Sequence, residues 1–411
     1  MRSSNVEKKT KLFLFTETFP YSYGETFLEN ELKVLSEKFE KIYIFPLNSS
    51  GAARSMPSNV ELVDWAVNYS YNGLITLFKN LLLFSTIFFI EFNHSSKKLN
   101  FIKNALYLKS VLLQSIAKAS QVKKIIEEKG TVDAFFYTFW FNDWAIILSV
   151  LKKKRIIVSF SSRVHRFDLY DELNINGAIP FRYFQIYSVK EVFCISRDGM
   201  NYLTKKFPAF RNKIKLSYLG VFNNGTNPFD AHGTFTLVSC SNLTPVKRVH
   251  LIIEALQFIR SDIKWIHLGD GKLKSELFEE TKKLPANISI HFKGHISNKE
   301  IIEFYKTTPV HLFITTSESE GLPVSIQEAI SFGIPVIATD VGGTSEIVTP
   351  ETGYLINKEY PVKQIAQLIE EFKSSGKNTP EYRMRVKMFW EHNFEAGRNY
   401  SKFYNDIVDV S

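Results

Sequence analysis

Short apolar runs alternate with longer amphipathic stretches along the whole chain. In the first half the runs are Leu12–Phe15, Ile42–Phe45, Ala134–Tyr137, Ile156–Phe160 and Val192–Ile195. The second half repeats the rhythm with Thr236–Cys240, Trp265–Leu268, Ile288–Phe292, Val310–Ile314 and Pro335–Ala338. These runs lack polar alternation, the mark of strands covered on both faces, and each is followed by enough chain for a helix. The pattern predicts an α/β fold of two doubly wound parallel sheets. The rhythm breaks at Asn223–Gly233, where Asn, Gly, Pro and Asp crowd a stretch that can propagate neither helix nor strand. We therefore expect a first Rossmann-like domain over 1–225, a second over 226–390, and a cleft between them.

Composition agrees with two globular domains: the chain has 411 residues, 45% of them hydrophobic, enough to give each domain a core. Disorder is excluded by that fraction together with 36 Phe. The two cysteines, Cys194 and Cys240, both lie in apolar strand-like runs, which points to a reducing, cytoplasmic setting rather than a disulfide framework. The start, Met1 to Thr10, is polar and the following apolar run too short for a signal peptide.

Charge is uneven. Residues 1–225 carry a net +12 and residues 226–411 a net −3. A basic first domain suits an anionic membrane surface, nucleic acid or a phosphate-bearing substrate. No nucleic-acid recognition motif accompanies it, so nucleic acid is not expected as a partner. The most apolar stretch, Leu81–Ile90, follows Gly73–Phe78 and precedes Lys97, Lys98, Lys103 and Lys109. Ten helical residues rise about 15 Å, half of a bilayer core, so the stretch does not span. It reads either as a buried core helix or as an interfacial segment lying on a membrane.

In open α/β sheets ligands sit at the carboxyl ends of the strands, which directs attention to the loops there. The first, Thr16 to Phe27, carries Pro20 and Gly24 and opens a helix with Leu28, Leu32 and Leu35 inward, so its backbone N–H groups are candidates for phosphate oxygens. An ordinary βα turn is the alternative. After the run ending at Phe160 comes Ser161-Ser162-Arg163-Val164-His165-Arg166-Phe167-Asp168. Arg163 and Arg166 are candidates for pairing with anions, and a neutral His165 for a sugar hydroxyl. In the second half, Asn242 precedes Lys247-Arg248 at a helix start, where cations oppose the macrodipole unless an anion such as a diphosphate lies between them. Gly269-Asp270-Gly271 and Lys293-Gly294-His295 also follow strands and allow close backbone approach. There is no complete G-x-G-x-x-G, no P-loop and no Asp-x-Asp pair, so neither a metal nor a cofactor is expected.

The most specific stretch runs from Thr315 to Ile337. Glu320 falls in a post-strand loop, Pro323 at a helix start, and Glu328 about two helical turns from Glu320. The stretch Gly321, Leu322, Pro323 and Val324, with the N–H groups it exposes at the helix start, is read as a phosphate cradle between two carboxylates. One carboxylate would hold ligand hydroxyls at one end and the other a vicinal diol, the demands of a nucleotide sugar.

Glu320 and Glu328 with the intervening Gly-Leu-Pro, followed by Gly333-Ile334-Pro335-Val336 and by Val341 to Val348, resemble the signature of the retaining GT-B glycosyltransferases of family 4 (glycosyl transferases group 1). Phe19-Pro20, Gly24 to Phe27, the His165 loop, Ser196, Leu219-Gly220-Val221 and Leu243 to Lys247 fall in the same order. The resemblance implies a GT-B fold, two Rossmann-like domains facing across a cleft, with a helix in 391–411 crossing back to the first. It implies that Lys247 neutralises a departing diphosphate, Glu320 orients the donor sugar, Glu328 binds ribose hydroxyls, His165 touches the sugar, and Gly24 lets the first loop close. Asn242 stands where many members have Arg, leaving the charge to Arg248 or to Lys247 with backbone N–H groups. The implied activity is metal-independent transfer of a hexose or related sugar, with retention, from a nucleotide sugar to a saccharide acceptor. That acceptor is expected to be lipid-linked, as in lipopolysaccharide or capsule polysaccharide biosynthesis, with the protein peripheral on the cytoplasmic face of the inner membrane. A nucleotide-sugar epimerase or hydrolase, or a degenerate nucleotide-sugar binding protein, are the alternatives.

Overall fold

The computed structural model describes residues 10–21, 24–66, 71–95, 98–174 and 176–408. Ser22 and Tyr23 of the first loop and Lys97 of the basic cluster lie outside the described residues. The chain forms two compact units. The first takes the residues up to Ile195, Gly199–Ser217 and the chain from Tyr400 onward; the second takes Ser196–Asp198 and Tyr218–Asn399.

The first unit holds seven strands, β1 (Lys11–Thr16), β2 (Lys41–Pro46), β3 (Val60–Leu62), β4 (Ala134–Thr138), β5 (Ser161–Val164), β6 (Glu191–Cys194) and β7 (Ile214–Leu216). All neighbours run parallel in the order β3-β2-β1-β4-β5-β6-β7. Successive residues of β1 feed different cores. Leu12 and Leu14 pack with Leu28, Leu32 and Leu35 of helix α1 (Leu28–Lys38), whereas Phe13 and Phe15 pack on the opposite face with Trp144 and Ile147. Each such buried side chain contributes about 1.5–3 kcal/mol, which explains why a strand covered on both sides reads as an unbroken apolar run.

The second unit holds β8 (Phe235–Cys240), β9 (Ile263–Leu268), β10 (Ile288–Phe292), β11 (Leu312–Thr315), β12 (Val336–Thr339) and β13 (Gly353–Ile356), parallel in the order β10-β9-β8-β11-β12-β13. In both sheets the order reverses beside the first strand, between β1 and β4 and between β8 and β11. Loops leaving the strands at such a switch point diverge and leave room for a ligand.

One strand is displaced from expectation. Residues 156–160 are irregular, and the fourth central strand is β5, whose Ser161, Ser162 and Arg163 are polar yet buried. Ser162 pairs with the Thr138 hydroxyl at 2.6 Å, and Arg163 pairs with Glu31 at 3.3 Å with both side chains fully buried. The Arg163 guanidinium also donates to the Tyr137 hydroxyl and the Ser217 carbonyl and lies over the Phe403 ring. Arg163 is thus enclosed in the core and not offered to a phosphate or membrane anion.

The division between units falls between Ser217 and Tyr218, ahead of the Asn223–Gly233 stretch. Tyr218 to Val221 are tied into the second unit: Val221 N–H donates to the Phe394 carbonyl, Ala396 N–H donates to the Val221 carbonyl, and Gly220 lies directly under Ala396. Asn227 is buried there too, its side chain donating to the Tyr305 and Thr308 carbonyls and accepting from Arg383 at 2.6 Å. The last described helix, Ala396–Val408, places Phe403 and Ile407 in the core of the first unit.

The segment after β3 forms four helices, α2 (Gly73–Lys79), α3 (Leu81–His94), α4 (Lys98–Lys103) and α5 (Ala105–Lys129). Helices α2 and α3 meet at 91°, and among the described residues no single helix is long and apolar enough to cross a membrane. Only Ile87 and Glu91 of α3 are buried. The stretch is therefore neither a fully buried core helix nor detached from the core: Ile87 and Glu91 are buried, Leu83, Phe84, Phe88 and Phe92 pack half-buried against the core, and Leu81, Leu82 and Phe89 are exposed.

Candidate functional site

In the second unit the side chains singled out in the sequence gather at the β8/β11 switch point. Lys247 ends a short 3-10 turn, Pro245–Lys247, after β8 and Glu320 lies in the loop after β11. Their side chains meet at 2.6 Å, both largely shielded, with Glu320 12% and Lys247 26% exposed. The two loops are also stitched together by the Glu318 N–H, which donates to the Val246 carbonyl. The Glu320 backbone is fixed from below. Gly342 has φ +55, and a Cβ there would lie 2.0 Å from the Glu320 carbonyl oxygen. The next residue, Gly343, donates its N–H to the Gly321 carbonyl at 2.8 Å. These glycines matter because backbone must approach backbone without side chains between.

Arg248 takes a different part from the one expected of a spare cation. Its φ of +45 turns the side chain so that the guanidinium donates to the Thr316 carbonyl at 2.8 Å and the Lys358 carbonyl at 3.1 Å. It fastens the strand-end loop, and Lys247 is the cation paired with Glu320. Asn242 is exposed at the mouth of the same loop.

Glu328 lies in the helix Val324–Ser331, whose N-cap is Pro323. Pro323 thus precedes the first helical position and has no N–H, so the candidate cradle reduces to the N–H groups of Gly321, Leu322 and the first turn from Val324. The Glu328 carboxylate accepts from the Asn298 side chain. Burial pushes that carboxyl up to about 7, with the Asn298 hydrogen bond opposing. Asn298 opens the helix Asn298–Thr307, which is fixed by a Ser297/Glu300 capping box. The adjacent Gly269 and Gly294 pair backbone to backbone, N–H to carbonyl at 3.0 Å, with φ of +141 and +72, and His295 is exposed beside them. Lys247, Glu320 and the cradle therefore share one rim, with Asn242, Gly294 and His295 on the ends of neighbouring strands. Glu346, part of the glycine-following segment, accepts from the N–H groups of Arg197 and Asp198 and from the Tyr218 hydroxyl.

In the first unit, His165 follows β5 and is buried. Its ring packs on Trp140 and Phe139, with centroids 4.4 and 4.8 Å apart, and neither ring nitrogen has a hydrogen-bond partner. Burial, with the Arg163 charge adding to it, holds the imidazole well below its ordinary pKa and hence neutral. Asp168 fixes the loop by accepting from the N–H groups of His165 and Phe141. Burial raises this carboxyl to about 7.

The first loop differs from the expected phosphate cradle. The N–H groups of Glu17, Thr18 and Phe19 donate to the carboxylate of Glu25, at 3.0, 2.7 and 2.6 Å. The Trp140 indole donates to it as well, and Glu25 itself has φ +56. An internal carboxylate therefore occupies the donors that a phosphate would need. Gly24 sits beside it, its carbonyl accepting from Arg54. Glu25, Trp140, Asp168, Asn298 and Gly342 carry no assigned role in the sequence reading; the positive φ at Glu25 and the buried partners of the others are tertiary facts that spacing does not encode. Among the described residues no three His, Cys, Asp or Glu side chains are grouped as a metal site requires.

The second unit thus carries a Lys–Glu pair and a helix-start cradle at the switch point of a Rossmann-like sheet. Residues 228–387 match the family model described as glycosyl transferases group 1, and the whole chain has the GT-B fold. An uncharacterized glycosyltransferase of Methanocaldococcus jannaschii is 27% identical over 368 residues, 84% of this chain and 97% of that protein. The amylovoran biosynthesis glycosyltransferase AmsD of Erwinia amylovora is 28% identical over 190 residues, 44% of this chain and 52% of its own. Among solved structures, Anabaena HepE in complex with UDP-glucose superposes with a TM-score of 0.68 at 15% identity, covering 97% of this chain and 100% of that one. The lipopolysaccharide outer core galactosyltransferase WaaB gives 0.67 at 16%, over 98% and 100%.

Proposed function

We propose that the protein is a retaining family 4 glycosyltransferase that moves a hexose or related sugar from a nucleotide donor to a lipid-linked saccharide during envelope polysaccharide assembly, at the cytoplasmic face of a membrane. The observation that carries this reading is the Lys247–Glu320 pair beside the helix-start cradle, with Glu328 one helical turn further along. In use, Glu320 would exchange its lysine partner for donor hydroxyls, freeing the Lys247 ammonium for the diphosphate. The bond from the anomeric carbon to the diphosphate oxygen breaks, the acceptor oxygen bonds to that carbon on the same face, and the acceptor proton passes to the departing phosphate oxygen. Lys247 and the N–H groups of Gly321, Leu322 and Val324 stabilise the charge developing on the leaving group, a role that requires no metal. Glu328 takes the ribose diol. A neutral His165 would offer a hydrogen-bonding group to the sugar.

The neighbour named for its UDP-glucose complex makes uridine diphosphate sugars the first donors to test. Thermal unfolding across a panel of nucleotide sugars identifies the donor as the one that raises the melting temperature. Lys247→Ala and Glu320→Gln are expected to abolish transfer while leaving the fold intact. Full turnover by both variants refutes the assignment. Sugar release or epimerisation without acceptor, at the rate seen with acceptor, would support the hydrolase or epimerase alternative.

A further inference from the structure

Of the twenty-one exposed large apolar side chains among the described residues, eleven lie between Tyr71 and Tyr107. Phe78 is 79% exposed, Leu82 83% and Leu106 84%. They are not scattered. Helices α2 and α5 pack together, and the groove between them, of about 530 Å³, is lined by Leu74, Leu77, Leu106, Leu113 and Lys109. Exposed apolar side chains gathered on neighbouring helices around such a groove mark a binding face.

Charge settles what the face suits. Between Asp64 and Glu127 the sequence has eight lysines and a single carboxylate, Glu91. Lys79, Lys98, Lys103 and Lys109 are exposed around the apolar side chains. Glu91 is buried, its carboxylate accepting from the N–H groups of Tyr183 and Phe184, which clamps α3 to the body of the first unit. The Lys154 ammonium donates to the Asn80 side chain and holds the bend between α2 and α3. A fixed apolar face with Lys79, Lys98, Lys103 and Lys109 exposed around it, and with the one carboxylate of its own segment buried, is complementary to acyl chains beneath negative headgroups.

We propose that the face formed by α2, the start of α3, α4 and the start of α5 docks on an anionic lipid leaflet, with Phe78, Leu82 and Leu106 inserted and the lysines at the headgroups. The inference deepens the lipid-linked acceptor reading, which it rests on only for its purpose. The test is flotation of the full chain with phosphatidylcholine vesicles, with and without phosphatidylglycerol. Wild type is expected to float with the anionic vesicles and to be released by salt. Phe78→Ser combined with Leu82→Ser is expected to weaken binding by roughly tenfold per residue. Lys79→Glu combined with Lys103→Glu should remove the preference for phosphatidylglycerol. Both variants should keep the wild-type melting temperature and the wild-type transfer rate to a water-soluble acceptor. Wild type that stays unbound at low salt, or serine variants that float like wild type, overturns the proposal. So does a wild-type dimer that the serine variant dissolves, without vesicle binding, since a second copy would then cover the face. Vesicle binding with no sugar transfer from any donor leaves the docking face standing and sinks the proposed reaction instead.

Discussion

Gly342 offers a sharp test of how the Glu320 loop is held. An Ala at this position meets two separate penalties. The left-handed backbone, φ +55, costs an L-residue about 1–2 kcal/mol. The added Cβ would also lie 2.0 Å from the Glu320 carbonyl oxygen, closer than the 3.0 Å that real Cβ contacts respect, so the Glu320 backbone must retreat by about 1 Å. Gly177 separates the two effects: its φ is +60 but nothing lies within 4 Å of its would-be Cβ. Gly177→Ala should lower the melting temperature by about 2–4 °C for each kcal/mol of strain and leave transfer untouched. Gly342→Ala should lose at least as much stability and also reduce kcat/KM by on the order of a hundredfold, the usual consequence of a 1 Å misplacement at a reacting centre. Thermal unfolding, calorimetric titration with UDP and initial transfer rates together read the outcome. If Gly342→Ala melts like Gly177→Ala and turns over like wild type, the loop is not positioned as described.

Three further outcomes follow from the electrostatics. Arg163→Met should destabilise the first unit by about 3–5 kcal/mol in denaturant titration because Glu31 is left buried in the core without its cation, and adding Glu31→Leu should recover much of the loss. An unchanged midpoint for the single variant would contradict a buried pair. Glu328 is held near 7 against an ordinary 4.5, so the folded state binds the proton more tightly and stability falls as pH rises from about 4.5 to 7. Glu328→Gln should therefore melt above wild type by a margin that opens over that range and is flat beyond it, on the order of 1–3 kcal/mol, while UDP binding weakens. A constant margin from pH 4.5 to 8 would show that the carboxyl is not raised. The His165 ring, held well below its ordinary pKa, should show no protonation between pH 5.5 and 8 in its nitrogen NMR shifts, an expectation that a titration midpoint near 6.5 would defeat.

The parallel sheets were legible wherever a strand is covered on both faces, as in β1, β2, β8 and β9. Legibility failed in two circumstances. The three-residue strands β3 and β7 are too short to stand out as apolar runs, and β13 opens on Gly353. Strand β5 is buried through polar pairs, Ser162 with Thr138 and Arg163 with Glu31, whose partners lie 24 and 132 positions away in the chain. At the site, residue types and spacing suffice to nominate Lys247, Glu320 and Glu328, because chemistry at a strand end depends on local order along one loop. They do not assign Arg248, whose left-handed backbone redirects the guanidinium to carbonyl oxygens, nor the first loop, whose donors are claimed by a residue several positions later.

That claim by Glu25 has a thermodynamic corollary. The stretch Glu17–Phe19, whose amides already converge on the Glu25 carboxylate, buttressed by the Trp140 indole, holds its shape from the moment the chain folds. A ligand arriving against it meets a finished surface, so its binding entropy should carry no contribution from ordering Glu17–Phe19. Glu25→Gln, which removes the internal anion while keeping its outline, should convert that rigid wall into one that tightens only on contact, visible as a more negative entropy of association.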